Sequence, residues 1–102
     1  MKVTGGLPNA KSKIDLVLGQ LVRSKQGRDQ GKFYLVYAID GTTIWLIDGR
    51  KRSVSNPKKK NRCHLQHFNK VAADLVDLLV NEKPVTNEDV REAISRLLVS
   101  SD

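Results

Sequence analysis

The stretch KFYLVYAIDGTTIWLI, residues 32–47, decides the reading of the fold. KFYLVYAI is rich in aromatic and β-branched side chains, which suit a pleated, half-buried surface. Asp40-Gly41 is a turn pair that tolerates the backbone angles of a tight hairpin, and TTIWLI supplies the return strand. These residues predict a β-hairpin. Upstream, Leu16 to Ser24 (LVLGQLVRS) reads as a strand leading into the polar loop KQGRDQG, where two glycines permit angles denied to other residues. Downstream, Asp48-Gly49 marks a second turn, Val54 falls on a short strand, Pro57 interrupts, and His64 to Phe68 (HLQHF) alternates as a closing strand. Five short strands within about 50 residues predict a small barrel.

Beyond the strands the apolar period changes. Phe68, Val71, Ala72, Leu75, Leu78 and Leu79 recur at helical spacing, with Lys70, Asp74 and Asp77 on the opposite face. The leucine stripe of that segment is read as core. Lys83-Pro84 breaks the pattern. Thr86 and Asp89 then form a capping-box pair, and Val85 and Val90 stand at the positions of a hydrophobic staple, so a second helix is predicted from about Asn87. Its apolar face is Val90, Ala93, Ile94, Leu97 and Leu98. Short helices are marginal alone in water, so both are expected to pack on the barrel. Residues 1–13, rich in Gly, Ser, Asn, Pro and Lys, read as a flexible arm. The expected organisation is therefore an arm over 1–13, a barrel over 14–68 and a two-helix extension over 69–102, in the α+β class.

Charge is concentrated. The chain of 102 residues carries 18 Lys and Arg against 11 Asp and Glu, a net charge of +7. RKRSVSNPKKKNR, residues 50–62, contains Arg50, Lys51, Arg52, Lys58, Lys59, Lys60 and Arg62 and no acid, so the whole excess sits there. Such a run repels itself unless a polyanion neutralises it, and counterion release then favours binding. Pro57 and Asn56 keep it extended, able to follow a phosphate backbone. The loop SKQGRDQGK adds Lys25, Arg28 and Lys32 around Gly27 and Gly31, which lets backbone and cations approach a sugar-phosphate chain together. Alanine at 58, 59 and 60 together is expected to weaken binding with little loss of folding, because exposed cations contribute little to stability.

Other chemistry finds no support. There is no phosphate-binding GxxxxGK[ST], no GxSxG and no HExxH, so neither catalysis nor a cofactor is expected. Cys63 with His64 and His67 falls short of four zinc ligands. Asp29, Asp40 and Asp48 sit in or beside turns, where aspartate bonds to local backbone. Tyr34, Tyr37 and Trp45 can stack on bases, but with five aromatic residues in all they are expected to fill the barrel. A lone cysteine fits a reducing compartment, and no apolar run is long enough to span a bilayer, so a cytoplasmic location is expected.

GQLVRSKQGRDQGKFYLVYAIDGTTIWLIDG resembles a KOW motif: a strand with Val22, a loop ending in Gly31, then a strand of apolar residues. From Leu18 to His67, with DGRKR and PKKKNRCHLQ in order, the chain is similar to bacterial KOW-domain RNA-binding proteins related to the large-subunit ribosomal protein of the fourteen-e type. The resemblance implies a five-stranded SH3-like barrel that binds ribosomal or other structured RNA. It makes Gly31 the motif glycine, Lys25, Arg28 and Lys32 the loop cations, and Arg50 to Arg62 a second contact, beside which His64 is a further RNA-facing residue. The two helices and the arm fall outside it. A monomeric protein on large-subunit ribosomal RNA is the expectation; the competing reading is a protein-interaction module that docks a transcription or translation factor.

Overall fold

The structure, a computed structural model, describes residues 16–99. The predicted arm lies outside the described residues. Five strands come first: β1 (Gln20–Ser24), β2 (Phe33–Asp40), β3 (Thr43–Ile47), β4 (Lys58–Asn61) and β5 (Leu65–Val71). A short helical turn, Arg62–His64, joins the last two. Helices α1 (Ala73–Val80) and α2 (Asn87–Val99) follow. The strands form one antiparallel sheet in the order β4-β3-β2-β1-β5.

The hairpin read from residues 32–47 is β2 and β3, with Asp40 opposite Thr43 and Leu35 opposite Ile47. The runs in it are continuously apolar because both sheet faces are covered. One face buries Val22, Tyr34, Val36, Ile44 and Leu46 with Leu16 and Leu65. The other buries Leu21, Leu35 and Ile47 against Ala72, Leu75, Val90 and Ala93, so the helices pack on the sheet as expected. The first cluster gathers Leu65 of β5 with residues of β3, with two strands between them in the sheet, which requires the sheet to curl. Register shifts in β1 and β2 supply extra twist. The Arg62–His64 turn spans the curl: the Arg62 N–H donates to Thr42 O at 2.9 Å, and His64 O accepts from the Lys25 N–H at 2.8 Å. The ladder itself stays open, with β4 and β5 as its ends among the described residues, rather than closing into a barrel.

Four details differ from the sequence expectations. The first strand begins at Gln20 and not at Leu16, because Gly19, at φ +79°, turns the chain just before it. Val54 lies in a turn and packs toward the helix-side core, while the strand of that region is the lysine run itself, paired through Leu46 with Lys58 and Thr43 with Asn61. Phe68 and Val71 belong to β5 and not to the first helix, so the sheet runs past the boundary expected at residue 68. Pairing with β1 overrides their helical spacing, as Gln20 opposite Val71 records. Asp29 is not a local turn former, as shown below.

The helix ends follow their local chemistry. Thr86 Oγ1 accepts from the Asp89 N–H at 3.0 Å and Asp89 Oδ2 accepts from the Thr86 N–H at 3.1 Å, the reciprocal bonds of a capping box. Val85 and Val90 meet in the helix-side core. At the end of α1 the Lys83 N–H reaches Leu78 O at 2.8 Å and the Glu82 N–H reaches Leu79 O at 3.2 Å, a Schellman arrangement with Glu82 at φ 54°.

Candidate nucleic-acid interface

Loop 25–32 turns back on itself through short backbone bonds, from the Gly31 N–H to Ser24 O at 2.8 Å and from the Ser24 N–H to Lys32 O at 2.9 Å. Gly31 has φ +91°, a conformation L side chains rarely adopt, while an added Cβ would meet only Arg23 Nη2, at an ordinary contact distance of 3.7 Å. A glycine at position 31 is thus required by backbone angle and not by crowding. The loop's anchor is Asp29. Ser24 Oγ and Tyr34 OH each donate to its carboxylate at 2.8 Å, and Lys60 Nζ donates at 2.7 Å. The same amine donates to Gln26 O at 2.8 Å. Burial by itself raises the Asp29 pKa, but the bonds from Lys60, Tyr34 and Ser24, with the lysine charge, outweigh it and bring the value to about 2. Burial and the bond to Asp29 push the Tyr34 hydroxyl upward.

Lys60 therefore faces inward. Its side chain is 9% exposed and that of Asp29 is 11% exposed, whereas the sequence reading placed Lys60 with the RNA-facing cations. The alternation of β4 explains the difference: Lys60 stands opposite the buried Ile44, and neighbouring Lys59 projects to the other face, opposite Trp45. Alanine at 58, 59 and 60 together would consequently remove a structural ion pair as well as surface charge, and would not spare folding.

The link has a further effect. Lys60 and His64 tie loop 25–32 to the second basic segment, and Lys32 approaches Asp48 at 3.6 Å, at the start of the turn that carries Arg50. Two cationic segments separated along the chain thereby form one rim. Lys25, Arg28, Lys32, Arg50, Lys51 and Lys59 are exposed on it, and Arg52, Lys58, Arg62 and His64 are half-buried. Asp48 shapes the turn by accepting from the Arg50 N–H at 2.8 Å and the Arg52 N–H at 3.0 Å through Oδ1, the local bonding expected for that aspartate.

Two concavities open on the rim. One, of about 430 Å³, is edged by Lys32, Arg50 and Arg91, with Phe33, Ile94 and Leu98 also in its lining. Arg91 was not among the residues singled out from sequence, since Glu88, Asp89 and Glu92 surround it along the chain. Only the fold brings it to the rim, where its Nη1 donates to Gly49 O at 2.6 Å. The other, of about 280 Å³, is lined by Lys25, Arg62, Cys63, Leu65 and His67. Burial, with the charges of Arg62 and Lys25, holds the His67 pKa below the ordinary imidazole value and so favours the neutral ring. Among the described residues no three His, Cys, Asp or Glu side chains converge as a metal site, and no helix is long and apolar enough to cross a membrane. Comparison of the chain with protein-family models and with curated proteins gave no match.

Proposed function

We propose that this chain is a non-catalytic, cytoplasmic RNA-binding protein whose curled sheet is a KOW-type SH3-like barrel. In this reading it acts as a monomer on structured RNA, with large-subunit ribosomal RNA as the preferred platform. The observation that carries the proposal is the joining of the glycine loop to the basic segment through Lys60–Asp29 and Lys25–His64, which sets cations from both along one rim. The acids set among these cations, Asp29 and Asp48, are largely buried, so the exposed charge of the rim is positive and suits a phosphate backbone, which attracts cations whatever the base sequence. Lys25, Arg28, Lys32, Arg50, Lys51, Arg52, Lys58, Lys59 and Arg62 contact phosphates, and His64 lies among them. Arg91 joins the set from α2, beside Lys32 and Arg50. Recognition is by the shape of the RNA more than by base identity.

The test is a double variant that leaves Lys60 in place. Lys58→Ala with Lys59→Ala is expected to weaken binding to a fluorescein-labelled RNA stem-loop, read by anisotropy, and to reduce the slope of log affinity against log salt by about 1 to 2. The urea midpoint is expected to stay close to wild type, since these amines hold no structural ion pair. Unchanged affinity and slope in this double variant would remove β4 from the interface. Salt-insensitive capture of a protein partner, with no binding to RNA, would favour the interaction-module reading instead.

A further inference from the structure

The five aromatic side chains do not share one fate. Tyr34 is fully buried with its hydroxyl committed to Asp29, while Phe33, Tyr37 and Phe68 pack against the helix-side core. Trp45 belongs to neither core cluster. It is half-buried, in the middle of β3, opposite Ala38 of β2 on one side and Lys59 of β4 on the other. Facing residues of an antiparallel ladder project to the same side of the sheet. The indole thus stands between a methyl group, too small to cover it, and a lysine whose Nζ lies 5.2 Å from the ring centroid.

We infer that Trp45 is a stacking platform for one unpaired base of a bound RNA, with Lys59 neutralising the phosphate beside that base. The inference rests on the RNA-binding reading above and names what this part of the surface takes. Stacking of a base on an indole outweighs an exposed cation–π contact, so an arriving base displaces the Lys59 amine from the ring face. The freed ammonium is then within reach of the adjoining phosphate, on the edge strand that also presents Lys58. Asp40, opposite Thr43 at the hairpin tip, disfavours a phosphate on the other side and gives the strand one preferred path. A loop or bulge with a splayed base fits this site, and a continuous duplex does not.

Trp45 is the only tryptophan in the chain, so its emission reports the site directly. A short single-stranded RNA and a blunt duplex RNA of matched length, both labelled, are titrated with wild type, Trp45→Ala and Trp45→Phe, following anisotropy and, for wild type, indole fluorescence. The expected result is quenching of Trp45 by the single strand and not by the duplex. Affinity for the single strand is expected to fall about tenfold in Trp45→Ala and to be largely kept in Trp45→Phe, with duplex affinity unchanged in both. Circular dichroism confirms that both variants fold; should Trp45→Ala fail to fold, the wild-type quenching and Trp45→Phe decide. Binding by anisotropy without quenching overturns the platform and leaves the phosphate-contact reading standing. Absence of binding to either RNA overturns both.

Discussion

Asp29→Ala is expected to lower the unfolding free energy by about 3 kcal/mol, toward the lower end of what removing one partner of a buried ion pair costs. The substitution leaves the Lys60 amine without its carboxylate and removes the acceptor for Tyr34 OH and Ser24 Oγ. Lys60 lies near the rim and can swing partly into water, which keeps the cost from rising further. Against a typical total of about 5 to 15 kcal/mol, the loss is large and readily seen as a lower urea midpoint. The acid limb of the stability curve gives an independent check. The folded Asp29 pKa, about 2, lies below the ordinary aspartate value of 3.8, so its contribution is fully present above about pH 4 and is lost as pH falls through about 2. Asp29→Asn cannot titrate and is expected to flatten the stability curve over that window. A variant with the wild-type midpoint and the wild-type acid limb would show that the network does not hold the loop.

Gly49→Ala is the second large effect, expected at about 3 kcal/mol or more. Two costs combine: Gly49 has φ +77°, where a side chain is penalised by roughly 1 to 2 kcal/mol, and overpacking of a fitted interface adds about 1 to 3 kcal/mol. An added Cβ would sit 2.5 Å from Asn87 O and 3.0 Å from the Arg91 backbone nitrogen, so it meets helix backbone that no rotamer change can relieve. The start of α2 must move off the turn, and the Arg91 bond to Gly49 O goes with it. Gly41→Ala is the control. Its φ of +63° carries the conformational cost alone, because nothing lies within 4 Å of the added atom, and about 1 kcal/mol is expected. Equal thermal midpoints for the two variants would show that the turn does not bear on α2.

The same pairs of residues explain which features were legible before folding. The hairpin over residues 32–47 and the start of α2 could be read because their signals are local: a turn dipeptide between apolar runs, and a capping box with its staple. Phe68 and Val71 misled because helical spacing is present there, yet pairing with β1 decides the outcome from nearly fifty residues away. Lys60 was read with its neighbours because a run of three lysines looks uniform until strand alternation sends Lys59 to one face and turns Lys60, opposite the buried Ile44, toward the other. Its partner Asp29 is thirty-one residues distant, and no local pattern relates them. Arg91 was hidden for the same reason, on a helix whose adjacent acids suggested a face turned from polyanions. Trp45 was assigned to the core on composition, and its position beyond both clusters follows only from which sheet residues the helices cover.

The central claim is that a single cationic rim binds RNA through phosphates, and the most direct test is the salt dependence of wild-type binding to a labelled RNA stem-loop. With the cations of the rim sharing about four to six phosphates, log affinity is expected to fall linearly with log salt, with a slope of about −3 to −5. A flat dependence, or no binding even at low salt, would contradict the account.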